Sequence, residues 1–167
     1  MSADYRKHKE SDITKGSVFL IPLPITELDQ FKTSYQLPHN TQIINHLNCF
    51  AVENIRTARR FLKKINQNID IDQIQFIELN KKTKEEDLVE IITKLNQGED
   101  IGVMSESGCP GIADPGQEIC KRAHLHNIKI KPLIGPSSIL MALMASGLNG
   151  QQFTFHGYLP IRENEII

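Results

Sequence analysis

The stretch Ser105-Glu106-Ser107-Gly108-Cys109-Pro110-Gly111-Ile112-Ala113-Asp114-Pro115-Gly116 holds three Gly, two Pro and two carboxylates. Glycine lacks a Cβ and admits positive φ, so such a loop can bring backbone close to a ligand. Its spacing excludes the common phosphate loops. Gly111 and Gly116 are separated as in a Walker loop, but Gln117 and Glu118 stand where Lys and Ser or Thr are required. There is no GxGxxG, and a nucleophile elbow would need Gly in place of Val103 or Ser105. A second turn, Ile134-Gly135-Pro136-Ser137-Ser138, opens a helical pattern whose first N–H groups favour a carboxylate or phosphate. Donors for an anion beside the acidic Glu106 suit a zwitterionic ligand, of which S-adenosylmethionine is one.

Other reactive side chains read more plainly. Arg56, Arg59, Arg60, Lys63 and Lys64 fill the polar face of one helical pattern, and Lys81, Lys82 and Lys84 follow a strand pattern. Arg56 and the lysine loop are expected on the ligand rim, which suits local phosphate binding; a solvated face is the simpler alternative. Asp114 reads first as a helix cap. Cys120, His124 and His126 do not share one helix face, so no metal is expected there. Cys109 reads as a small tolerated residue, His156 as a buried strand histidine, and Met141 and Met144 as part of a helix packed in the core.

The elements that must position these residues alternate. Val18-Phe19-Leu20-Ile21, stopped by Pro22 and Pro24, reads as a first strand. Asn40 or Thr41 can cap a short helix carrying Ile43, Ile44 and Leu47, and 49–53 follows as a second strand. The segment 55–65 is helical, with Ile55, Ala58, Leu62 and Ile65 on one buried face. A third strand spans 74–79. Thr83 with Glu86 forms a capping box for a helix that runs to about 97 and stops at Gly98. A fourth strand spans 101–104, a helix capped by Asp114 with Pro115 in its first turn runs to about 127, and a fifth strand spans 128–134. Ser137 caps a nearly all-apolar helix over 139–145, closed by Gly147, and Phe153 to Tyr158 reads as a last strand. Strands alternating with helices predict an α/β fold, a mainly parallel sheet covered by helices on both faces. Ligands of such sheets bind beyond the carboxyl ends of the strands, where the loops named above begin.

Composition bounds the function. The 167 residues carry 19 Lys and Arg against 20 Asp and Glu, a formal charge of -1, which excludes a uniformly basic nucleic-acid binder but not a basic rim. Cys49, Cys109 and Cys120 show no CxxC spacing, so neither a disulfide framework nor a cysteine-rich zinc site is suggested. The longest apolar run, Ile139 to Ala145, is far short of the ~20 residues that span a bilayer. The charged first residues lack the apolar core of a signal peptide, and a cytoplasmic protein is expected. The expected organisation is a polar tail over 1–16, an α/β domain over 17–149, and the opening strand of a second domain over 150–167.

Five blocks resemble, in order, the tetrapyrrole methylase superfamily, in particular its ribosomal RNA small subunit methyltransferase I branch. They are Val18-Phe19-Leu20-Ile21-Pro22-Leu23-Pro24-Ile25, Glu53-Asn54-Ile55-Arg56-Thr57, Ser105 to Pro110 with Asp114-Pro115-Gly116, Pro132 to Ser137, and Gly157-Tyr158-Leu159-Pro160. The resemblance implies a two-domain, usually dimeric methyltransferase that binds S-adenosylmethionine between its domains and modifies a ribose 2′-hydroxyl of small-subunit ribosomal RNA. Other branches modify tetrapyrroles or a protein histidine. Carried over by position, the cofactor rim is Pro24, Glu106, Ser107, Gly108, Pro110, Gly135, Pro136, Ser137 and Ser138. The substrate side holds Arg56, with Arg60, Lys81 and Lys82 added from the basic surface. The chain departs from the branch at Thr26-Glu27-Leu28 for Gly-Asn-Leu, Asn54-Ile55 for Asp-Thr, and Glu106-Ser107 for Asp-Ala. Methyl transfer from a sulfonium needs positioning and at most one base, and Glu53, at the end of the second strand, is the candidate. An incomplete methylase-like fragment, and an unrelated α/β anion-binding module, remain as alternatives.

Overall fold

The computed structural model describes residues 14–25, 37–80 and 82–157. Lys81, the first thirteen residues of the expected tail, and Tyr158 with the residues after it lie outside them. Five strands, β1 (Ser17–Leu20), β2 (Cys49–Val52), β3 (Gln75–Glu78), β4 (Ile101–Met104) and β5 (Lys129–Pro132), form one parallel sheet in the order β3-β2-β4-β1-β5. Helices α1 (Pro38–His46), α2 (Ile55–Ile65), α3 (Glu85–Asn96), α4 (Gly116–Leu125) and α5 (Ser138–Ser146) alternate with them.

The topology explains which helix covers which face. The chain moves one way across the sheet from β1 to β2 to β3, then back from β3 to β4 to β5. Right-handed crossovers therefore put α1 and α2 on one face and α3 and α4 on the other. The core divides accordingly. Phe19, Ile21, Phe50, Val52 and Met104 bury against Ile44 of α1 and Ala58, Phe61 and Leu62 of α2. Val18, Cys49, Ala51, Ile101 and Val103 bury against Ile91, Ile92 and Leu95 of α3 and Ile119 and Ala123 of α4. Consecutive strand residues serve opposite faces, as the pleat requires. Gly102 is the exception that makes room: a Cβ there would lie 2.6 Å from Phe50 Cδ1 and 2.8 Å from Ile21 Cδ1. Phe50 then stacks on Phe76 at 6.1 Å. On the far face, Arg122 forks onto both Glu85 oxygens at 2.6 and 2.8 Å and reaches Glu118 at 3.0 Å, bracing α3 against α4.

Several local expectations are corrected. Asn40 and Thr41 lie inside α1, not at its cap, because Pro38 starts the helix with a φ already suited to its first turn. The capping pair before α3 sits one residue later than Thr83 and Glu86. Asp87 Oδ2 accepts the Lys84 N–H at 3.0 Å, while Thr83 Oγ1 accepts the Asn80 N–H at 2.6 Å and shapes the preceding loop. Phe61, outside the expected apolar face of α2, is buried beside Ala58 and Leu62. Residues 153–157 join no strand: Phe153 and Phe155 stay exposed, and Gly157 turns to φ +78°, outside the extended region. Met141 and Met144 are not core residues: no residue of α5 is buried, and Met144 is 82% exposed. Gly16, placed in the tail by its sequence, donates to Leu95 O at 2.8 Å.

Candidate functional site

In this strand order β4 lies between β1 and β2, whose connecting helices leave on the opposite face from its own. That reversal opens a crevice at the carboxyl end of β4, the place where open α/β sheets hold ligands. The glycine-rich loop starts there and is braced on three sides. Leu23 and Gly108 exchange backbone hydrogen bonds at 2.9 and 3.0 Å, and Ser107 Oγ donates to Pro24 O at 3.3 Å, so the loop is sewn to the end of β1. The Glu106 N–H donates to Glu53 Oε2 at 3.0 Å, tying it to the end of β2. At its far end Asp114 accepts from Gly111 N at 2.8 Å and Gly116 N at 2.6 Å, which caps α4 as its sequence position predicts. Gly108 and Gly111 have φ of +70° and +87°, conformations that the missing Cβ makes accessible, whereas Ala113 adopts +58° with its Cβ present.

The second turn closes the crevice. Leu133 N donates to Leu20 O at 2.9 Å, and Gly135 then packs directly on Pro22; a Cβ at 135 would lie 2.2 Å from Pro22 Cβ. Ser137 is the N-cap of α5, its Oγ accepting from Leu140 N at 3.5 Å, and Gly147 ends the helix at φ +70°. Between the two turns lies a cleft of about 280 Å³. Its polar wall is Ser107, Gly108, Cys109, Ser137 and Ser138; its apolar wall is Ile25, Ile112, Ile139 and Phe155.

The expected site residues therefore separate into groups. Ser107, Gly108, Ser137 and Ser138 face one cleft, and Pro24, Gly135 and Pro136 support the loops around it. Pro110 is buried and Glu106 exposed, and neither lines this cleft. Glu53 is half-buried at the end of β2, with Oε2 on the loop. Arg56 and Arg60 are exposed on successive turns of α2, and Lys82 is exposed after β3, its N–H held by Asn80 Oδ1 at 2.7 Å. Arg59 instead lies over the Phe76 ring at 5.4 Å, and Lys63 bonds the carbonyls of Gln67 and Ile69, so these two serve packing and the helix end. Asn54, noted in the sequence only as a departure from the family pattern, is the N-cap of α2 and accepts from Thr57 N at 3.1 Å; an Asn just before a periodic apolar run is the signal. Burial pushes the Cys109 thiol up, and it donates to Pro136 O at 3.2 Å. Among the described residues no three His, Cys, Asp or Glu side chains are grouped to hold a metal ion. Nor is any described helix long and apolar enough to cross a membrane.

Sheet order and braced loops together define an α/β domain with a cleft at the strand carboxyl ends. No protein-family model matches the chain. It is 32% identical over 149 residues to the ribosomal RNA small subunit methyltransferase I of Buchnera aphidicola from Schizaphis graminum, covering 89% of this chain and 48% of that protein. With the protein of the same name from Escherichia coli O157:H7 it shares 27% identity over 157 residues, covering 94% and 51%. For that of Synechocystis the figures are 29% over 147 residues, 88% and 49%. The chain is a homologue of the N-terminal half of the ribosomal RNA small subunit methyltransferase I proteins. It spans about half the length of these curated relatives.

Proposed function

We propose that the chain supplies the S-adenosylmethionine-binding half of a methyltransferase of the tetrapyrrole methylase type, acting on a ribose 2′-hydroxyl of small-subunit ribosomal RNA. The observation that carries this reading is the cleft of about 280 Å³ between the Gly108 loop and the start of α5, in a chain homologous to proteins with that name. The donor set fits the cofactor. Helix geometry leaves the N–H groups of Ser138 and Ile139 without acceptors inside α5, which suits the cofactor's carboxylate. Ile25, Ile112, Ile139 and Phe155 offer apolar surface to the adenine ring. The cleft lies near the low end of the usual ligand range of ~300 to 1,000 Å³.

Bound there, S-adenosylmethionine supplies a methyl group on a sulfonium that departs as a neutral thioether. The protein's share is placement. In this reading Glu53 takes the hydroxyl proton as the acceptor oxygen forms its bond to carbon; its Oε2 accepts the Glu106 N–H, which ties it to the glycine-rich loop. Arg56 and Arg60, with Lys81 and Lys82, supply the phosphate contacts that hold an RNA across the rim. A homodimer is part of the same reading, supported by the exposed apolar residues Leu140, Met144 and Leu148 on and beside α5. Small ribosomal subunits are the substrate in a cytoplasmic setting.

The test is methyl transfer from labelled S-adenosylmethionine to unmethylated small subunits. Label at one nucleotide that resists alkaline cleavage supports a ribose 2′-O-methyl product. Label in a base, or in a tetrapyrrole instead of RNA, contradicts the acceptor.

A further inference from the structure

The β1 and β5 ladder ends abruptly where the cleft begins. Leu133 N still reaches Leu20 O, but the next residue of β1 able to face β5 is Pro22, which has no N–H to donate. One residue beyond Leu133, Ile134 O takes its hydrogen bond from Asn40 Nδ2 of α1 at 2.8 Å. Two residues on, Pro136 O takes the Cys109 thiol at 3.2 Å from the opposite side. Between these two contacts Gly135 is seated on Pro22. Ser137 and the start of α5 follow immediately.

We propose that Asn40 is a positioning residue for the cleft: its side-chain amide holds the Ile134 carbonyl just past the end of the ladder and sets where the first N–H groups of α5 lie relative to the Gly108 loop. This rests on the reading of the cleft as an S-adenosylmethionine site. The Asn40 side chain touches neither cleft wall, so its influence passes through the 134–137 backbone alone. Ile134 is exposed, so without Asn40 its carbonyl turns to water, and what is lost is the fixed position of the 134–137 loop rather than a buried donor. The same contact joins α1 to the loop that precedes α5.

The experiment is calorimetric titration of S-adenosylmethionine into the unaltered chain and into N40A, N40D and N40Q, with melting of each ligand-free protein. N40D is nearly isosteric but presents only acceptor oxygens to Ile134 O at neutral pH. We expect its Kd to rise roughly tenfold and that of N40A roughly fivefold, the scale of one lost hydrogen bond, with Tm held within about 2 °C. N40Q restores a donor and should recover much of the affinity. Amide exchange over 134–140, read without ligand, should quicken in N40D. Unchanged affinity and unchanged exchange in N40D overturn the proposal, as does an affinity loss that tracks Tm and is not recovered in N40Q. If the unaltered chain does not bind, the cofactor reading itself fails and takes this inference with it.

Discussion

The backbone N–H of Glu106 donates to Glu53 Oε2 at 3.0 Å, joining the glycine-rich loop after β4 to the end of β2. One carboxylate thus has two separable duties: it holds the loop with one oxygen and, in the proposed reaction, receives a proton. Glu53→Gln keeps an acceptor for Glu106 N–H and removes the base. S-adenosylmethionine affinity should stay within about twofold of the unaltered protein while turnover drops about 10² or more. Glu53→Ala should lose affinity as well. Equal turnover in Glu53→Gln rules the base out.

Gly135 tolerates no side chain against Pro22, where an added Cβ would lie 2.2 Å from Pro22 Cβ. Gly135→Ala must push the 134–137 turn off the end of β1, at a cost of about 1 to 3 kcal/mol for overpacking. Denaturant unfolding measures that loss, and ligand titration should show the cleft impaired.

Asp114 accepts two backbone N–H groups, from Gly111 and Gly116. Asp114→Ala orphans both and should destabilise by about 1 to 3 kcal/mol, with Asp114→Asn intermediate because its side chain keeps one acceptor oxygen. Equal stability of all three proteins would remove the cap from the account.

Burial within the sheet, reinforced by the negative charge of Glu99, pushes the Cys49 thiol from 9.0 up to about 11. A thiol held protonated by folding contributes stability below its unfolded-state value near 9.0 and loses that contribution as pH climbs through about 11. Between those limits the unaltered protein should lose on the order of 2 kcal/mol more than Cys49→Ala, measured as the difference of their unfolding free energies with pH. Parallel pH profiles contradict it.

Arg56 and Arg60 occupy successive exposed turns of α2 beyond β2. If both contact phosphates, the double alanine variant should flatten the dependence of log affinity for RNA on log salt by about 2.

The parallel sheet, the helices on both faces and the capping roles of Asp114 and Ser137 were legible because each rests on local signals: β-branched runs, Gly and Pro stops, and an acceptor just before a periodic segment. What was not legible depends on contacts distant in sequence. Ser107, Gly108, Ser137 and Ser138 meet in one cleft only because β4 and β5 flank β1, and no local pattern states the strand order. Asn40 reads as a helix cap from its neighbours, yet its partner is 94 residues away. The apolar pattern of α5 predicts a core position for Met144, but composition says nothing of what should cover the helix, and Met144 lies exposed. The basic residues of α2 look equivalent in sequence, and only the structure separates Arg59 and Lys63, engaged in packing, from Arg56 and Arg60.

The central claim, a cleft between the Gly108 loop and the start of α5 that holds S-adenosylmethionine, is tested most directly by calorimetric titration of that cofactor into the 167-residue chain. The account predicts saturable binding with Kd in roughly the micromolar range, weakened at least about tenfold by Gly108→Val, whose side chain is strained at φ +70°. A folded chain that gives no saturable heat up to about 1 mM ligand contradicts it.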